Sequence, residues 1–289
     1  VRPKGLMPYL LTAPVMIMLG CILLVPSIYV VWMSLNSSSF GVESNWVGLD
    51  NYVRILSDPV FWRSTLNTLI VVNIVVYVEI VLAICLSLAL ARNVIGRAVI
   101  ISIILMPYAV SEVAAIVMWR YMFEPDVGIV NYGLEWLGLG QLNWVVDRWH
   151  ALFLVSLLTI WQSFPFTFLI IYAAVKNQPR ETIEAAFVDG ANRFQAFFNV
   201  TLPAIMPVVL VAVIFRYIFG LRLFSEVWLL TQGGPARLTE VMATYLYRYG
   251  FRYQDFGVAA ATALIMLVVS LAIATVYVRW LYLRSSKIG

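Results

Sequence analysis

Uninterrupted apolar runs of about twenty residues dominate this chain, and that is the length a helix needs to cross a ~30 Å hydrocarbon core. Six such runs stand out, at about 8–35, 65–91, 95–119, 151–175, 203–222 and 256–281. Lipid offers no hydrogen bonds, so each run has to satisfy its backbone groups internally. The predicted fold class is therefore all-α, a polytopic transmembrane bundle of six spans forming one domain over residues 1–289. Composition agrees: 62% of residues are hydrophobic and 12% charged, against roughly half and a quarter in soluble domains. Cys21 and Cys85 both sit inside apolar runs and read as small buried hydrophobes, with no disulfide framework or metal-ligand spacing.

Orientation follows from where the cations lie. On the side of the termini, segments 1–5, 92–97, 176–201 and 279–289 hold ten Lys/Arg in 48 residues. The opposite segments, 36–63, 120–150 and 222–255, hold eight in 93. Basic residues near span ends stay in the cytoplasm, so both termini are expected there. The outer segments carry Trp46, Trp62, Trp119, Trp144, Trp149 and Trp228, which suits anchoring at the membrane interface. The first run follows Arg2 and Lys4 but is too long for a cleavable signal peptide and shows no small-x-small site. The net charge of +4 belongs to this pattern: no basic stripe with interleaved aromatics points to nucleic acid. Pro107 and Pro165 fall mid-span, where each removes a backbone donor, and kinked helices around a cavity are expected.

The largest segment on the terminal side, Lys176 to Thr201, reads as two short helices. Pro179 opens the first and Gly190 follows its end; Asn192 starts the second. Ile183, Ala186 and Phe187 share the i, i+3, i+4 spacing, as do Phe194, Phe197 and Phe198, so each helix has an apolar stripe to bury. Either both lie on the membrane surface or they dock into a groove on a cytosolic partner.

Glu184-Ala185-Ala186, Gly190 and Leu202-Pro203 resemble the EAA loop of membrane subunits of ATP-binding-cassette importers. The run from Trp46 to Tyr52, then Phe61-Trp62, Asn67-Thr68, Trp161, Pro165-Phe166, Leu230 to Pro235 and Phe256-Gly257 is similar to the maltose-permease-type sugar subgroup. The resemblance covers essentially the whole chain and implies a type I importer permease fold in a bacterial or archaeal cytoplasmic membrane. It implies that residues 176–203 form the coupling loop, with Glu184, Ala185, Ala186, Phe187, Asp189 and Gly190 meeting the ATPase. The implied partners are a second permease subunit, two ATP-binding subunits, an external solute-binding protein and a sugar. The chain itself would be non-catalytic, with ATP and Mg held by the ATPase. Its own sequence supports this division: no G-x-x-x-x-G-K-[S/T] occurs, so no nucleotide site is encoded.

Other chemistry is missing as well. His150 is the one histidine and has no metal-ligand neighbour at helical spacing, and no nucleophile elbow or paired carboxylates share a helix face. A secondary transporter or passive channel for a polar solute is the alternative reading; no internal repeat is strong enough to argue the first, and the second gives no reason for the loop at 176–201.

Polar residues within spans are the default place to seek the translocation path. Span four offers Gln162, Ser163 and Phe166, and span five offers Arg216, Phe219 and Gly220. At 1.5 Å per residue, Gln162 lies ~16 Å from the outer end of its span and Arg216 ~20 Å from the inner end of its own, levels about one turn apart. Amide, guanidinium and aromatic faces are what sugar recognition needs, and the resemblance places substrate contacts on the middle of these two helices. Arg216 could instead pair with a carboxylate of a partner subunit, and Gly220 could serve close helix packing. Glu79 in span two is expected to bond a neighbouring helix more than to touch substrate.

Overall fold

The computed structural model describes residues 7–91 and 94–285. Its helices in chain order are α1 Met7–Ser34, α2 Asp50–Leu56, α3 Pro59–Leu90, α4 Arg97–Leu105, α5 Glu112–Met122, α6 Ile129–Trp136, α7 Arg148–Lys176, α8 Arg180–Val188, α9 Arg193–Ala196, α10 Leu202–Gly220, α11 Ser225–Leu230, α12 Met242–Tyr247 and α13 Phe256–Ser285. A two-stranded antiparallel pair, β1 Asn36–Ser37 and β2 Asn45–Trp46, interrupts the helical pattern. Five helical segments are long and apolar enough to cross a membrane: Met7–Ser34, Pro59–Leu90, Arg148–Lys176, Arg193–Gly220 and Phe256–Val276. Arg2, Lys4, Arg92 and Lys287, four of the cations behind the expected orientation, lie outside the described residues.

The expected third span is broken. Arg97–Ala109 and Glu112–Met122 meet at a 98° bend. Pro107 sits in a 3-10 turn, Met106–Ala109, and Val110 is extended (φ −93°, ψ 133°), so the helical ladder stops there. α7, by contrast, runs through Pro165 without interruption. The second short helix of the 176–201 segment is likewise not a separate surface helix. A π-helical turn, Phe197–Thr201, carries α9 directly into α10. Pro203 near the start of α10 has no N–H to give, and a widened turn is a usual way to absorb such a gap.

The residues divide into two compact units: those up to Pro59 with Tyr245–Val268, and Val60–Thr244 with those from Val269 on. In the first unit, motif residues hold the backbone together. Asn51 Nδ2 donates to the carbonyls of Ser34 (2.8 Å) and Asn36 (2.9 Å). Arg54 pairs with Asp255 at 2.7 Å. A Cβ on Gly257 would fall 2.3 Å from the Asn36 carbonyl oxygen, so only glycine fits there. α1 buries only Ser34, leaving a 28-residue apolar helix almost wholly exposed.

In the second unit α3 is the central strut. Its buried residues, among them Phe61, Ser64, Thr68, Val71, Val75, Glu79 and Ala83, recur at three- and four-residue steps and form one continuous stripe. One core cluster joins Val71 and Val75 to Ile116, Leu154, Leu158 and Val227. The other joins Val72 and Val76 to Phe168, Ile171, Ile205 and Val213. At the end of α3 where the chain enters, Asn67 Nδ2 donates to the carbonyls of Leu238 and Glu240, both at 2.8 Å. Its Oδ1 accepts from Arg148 Nη2 at 2.6 Å, and the neighbouring Thr68 hydroxyl accepts from the Met242 amide at 2.9 Å. Asn67-Thr68 thus fastens the loop after α11.

Two expectations are corrected. Cys21 and Cys85 are exposed on their helices, because α1 packs almost nothing and Cys85 lies off the buried stripe of α3. Trp144 is 4% exposed and donates its indole N–H to the Phe123 carbonyl at 2.7 Å, so it is a core residue and no interfacial anchor.

Candidate translocation pocket and coupling loop

The break in the third span opens a cavity of about 350 Å³ against α7 and α10. Gln162 and Ser163 from α7 line it, together with Arg216, Phe219 and Gly220 from α10. Five of the six residues expected on the path therefore share one cavity, at the common depth that helical rise implies. Phe166 does not line it. Its ring stands edge-on to Phe219 (6.3 Å) and Phe215 (6.1 Å), so it braces the wall from behind.

Arg216 is 6% exposed, and its charge is answered within the chain, with no need of a partner's carboxylate. Glu79, fully buried on α3, meets Arg216 Nε at 2.8 Å and accepts from Arg216 Nη2 at 2.9 Å. The Ser163 and Thr167 hydroxyls each donate to the same carboxylate at 2.7 Å, and Arg216 Nη2 also donates to Ser163 Oγ at 2.6 Å. Three spans are joined by one polar knot. Between helices in lipid the hydrophobic effect gives no net attraction, so such hydrogen bonds and close packing hold the bundle.

Gly220 does both things expected of it. It lines the cavity, and a Cβ there would lie 3.0 Å and 3.1 Å from the two methyls of Val72, so α10 and α3 touch at this level. Gln162 differs from its neighbours: its Oε1 is buried and has no hydrogen-bond partner among the described residues. A buried acceptor left unmet is costly unless a donor comes to serve it.

Sequence reasoning missed other polar residues of the lining: Tyr108 and Glu112, which the bend supplies, and Glu226 from α11. Glu226 on α11 is half-buried. Burial pushes its carboxyl up to about 7, with Glu112 acting in the same direction against backbone hydrogen bonds that lower it. The signal for Glu112 was present: Ser111-Glu112 after Pro107 is a helix start in the middle of an apolar run.

The coupling residues lie at the far end of α7. α8 opens after Pro179 and ends before Gly190, whose φ of +86° is the left-handed value that ends a helix at little cost only in glycine. Asn192 and Gln195 then form a reciprocal capping box, each side chain meeting the other's amide at 2.8–2.9 Å. Glu184, Ala185, Asp189 and Gly190 are exposed and Ala186 is half-buried. Phe187, Phe194 and Phe198 are exposed by 46%, 77% and 58%. Three apolar rings are thus left uncovered on this short helical pair.

Residues 6–286 match the family model described as binding-protein-dependent transport system inner membrane component. The chain belongs to this family. It is the membrane component of an ABC transport system, and the ATPase is a separate subunit. Among its relatives, the trehalose/maltose transport system permease protein MalF of Thermococcus litoralis is 32% identical over 272 residues, covering 94% of this chain and 92% of the relative. The sulfoquinovosyl glycerol transport system permease protein SmoG of Agrobacterium fabrum is 33% identical over 279 residues, covering 95% and 90%. A chain of a bacterial ABC transporter involved in import of the acidic polysaccharide alginate has the same fold, with a TM-score of 0.83 at 25% identity, covering 96% of this chain and 95% of that one. Family membership fixes the multi-span, inner-membrane character of the chain.

Proposed function

We propose that this permease passes a neutral sugar or short oligosaccharide, delivered by an external solute-binding protein, through a cavity that opens alternately to the two sides. The observation that carries the reading is the contrast between Gln162 and Arg216. The amide oxygen of Gln162 is unmet and suits a hydroxyl donor, while the guanidinium of Arg216 is committed to Glu79. The carboxyls at the lining, Glu112 and Glu226, offer an acidic sugar no cation. Phe219 and Tyr108 supply faces for the apolar side of a pyranose. The names of the trehalose/maltose relative and of the family as binding-protein-dependent support the same class.

The assembly follows from what this chain leaves uncovered. α1 has no core of its own to join, and one coupling loop serves one ATPase. A second, non-identical permease would cover α1 and complete the pore, and two ATPases carrying ATP and Mg would receive the two coupling loops. In this reading Glu184 meets donors in the ATPase groove, Ala185, Ala186 and Phe187 fill it, Asp189 closes the helix, and Gly190 makes the turn that presents it. Both termini and the 176–203 loop then face the cytoplasm.

The test is ATP hydrolysis by the reconstituted complex with its binding protein, followed by uptake of neutral and acidic sugars. Hydrolysis stimulated by a neutral sugar, with uptake reduced in Gln162→Ala, is the expected result. Stimulation by acidic sugars alone, or normal uptake of every sugar by Gln162→Ala, overturns it. So does a complex containing two copies of this chain and no second permease, for the heteromeric part.

A further inference from the structure

A second cavity, about 550 Å³, lies between the 176–203 loop and the nearby ends of α3, α4 and α7. Among the described residues its charged lining is entirely cationic: Arg97, Lys176, Arg180 and Arg193, with no Asp or Glu. None of the four forms an ion pair among the described residues. Three of them occupy an unusual position. Arg97 is the first residue of α4, Arg180 of α8, and Arg193 of α9, which continues into α10. The positive end of a helix dipole disfavours a cation there, so three arginines in first turns around one cavity favour an anion among them, even with Arg180 and Arg193 exposed and Glu181 in the first turn of α8. Gln178, in the same wall, has both amide atoms buried and neither hydrogen-bonded. An unmet amide and four cations without a counter-ion are complementary to phosphate oxygens.

The rest of the lining says where that phosphate comes from. Leu88 and Ala91 lie at the end of α3, and Val175 at the end of α7, so the cavity sits where apolar helices emerge from hydrocarbon. That is the depth of the headgroups, and basic pockets between span ends at the cytoplasmic face are known hosts for anionic lipids. We propose that this cavity binds the phosphate headgroup of an anionic phospholipid, with the arginines and lysine on the phosphate and Gln178 on its oxygens or the adjoining glycerol. The lipid is seated against Ile183 and Phe197, beside the loop proposed to meet the ATPase. This site is independent of what the importer carries, and its failure leaves the reading of the translocation pocket untouched.

The test uses the assembled transporter in phosphatidylcholine nanodiscs containing a minor share of phosphatidylglycerol, with bound lipid read by native mass spectrometry. Wild type is expected to retain phosphatidylglycerol selectively. Arg97→Gln with Arg193→Gln should weaken retention about fivefold per cation removed, while the paired lysine substitutions keep most of it and show that the fold survives. Arg279→Gln, a charge removed elsewhere, should change nothing. Equal retention in wild type and the glutamine variant overturns the proposal, as does an equal loss in Arg279→Gln, which would mean bulk surface charge. If inorganic phosphate binds lipid-free transporter at this site and phosphatidylglycerol does not compete, the source is a free anion and the lipid assignment is overturned.

Discussion

Glu79 on α3 and Arg216 on α10 face each other at 2.8 Å, 0% and 7% exposed at their side chains. Arg216 lines the cavity against the bent third span, and Glu79 stands behind it. The pair thus places a full positive charge beside the cavity and cancels it in the same structure.

Breaking that pair from one side should be far worse than removing it. Glu79→Gln or Arg216→Gln strands a buried charge, at about 3–5 kcal/mol by comparison with other buried pairs. The double variant, Glu79→Gln with Arg216→Gln, should assemble better than either. Thermal stability of the purified complex checks this; single variants as stable as the wild type would show the pair to be dispensable.

At Gly190 a valine would meet open space, since nothing lies within 4 Å of where its Cβ would fall. The penalty is conformational, about 1–2 kcal/mol for holding a branched residue at φ +86°. We expect Gly190→Val to abolish uptake and ATPase association while leaving the membrane helices intact by circular dichroism. A bulky charge at Ala186 should act likewise. Normal association with full transport in both variants would rule out docking through α8.

The two phenylalanines of the pocket should separate. Phe219 lines the cavity and Phe166 stands behind it. Phe219→Ala should lower uptake about two- to tenfold at unchanged binding-protein affinity, given about 0.5–1.5 kcal/mol for a lost aromatic contact. Phe166→Ala should act chiefly through stability, seen as a lower melting temperature with milder loss of uptake. Equal transport defects at equal stability would place both rings in direct contact with solute.

Glu226 gives a pH dependence whose sign is fixed. Its carboxyl is raised to about 7 in the fold, above the ordinary 4.5, so the folded state binds its proton more tightly than the unfolded one. Stability from this group is present below pH 4.5 and falls as pH rises to 7 and beyond. Glu226→Gln should flatten that slope in melting curves between about pH 5 and 8. An unchanged slope would mean that the carboxyl titrates normally.

Much of this was legible in the sequence because lipid is a strict solvent. Span lengths, the loop at 176–201 and the depth match of Gln162 with Arg216 all follow from hydropathy and helical rise. Three things did not. The bend after Pro107 depends on Val110 going extended, which an apolar window cannot distinguish from a continuous helix. The pairing of Glu79 with Arg216 joins residues 137 apart, and in one sequence nothing ties span two to span five. The burial of Trp144 depends on a carbonyl of Phe123 reaching its indole, while its position in an outer loop pointed the other way.

The polar knot also has a history in the order of synthesis. Glu79 enters the bilayer with the second span, long before Arg216 arrives with the fifth, and each alone adds about 2.5–3.5 kcal/mol to the cost of inserting its helix. The apolar remainder of each span carries it across that interval. Until α10 docks, Glu79 has only the Ser163 and Thr167 hydroxyls of the fourth span to answer it, so the knot closes last, with the guanidinium.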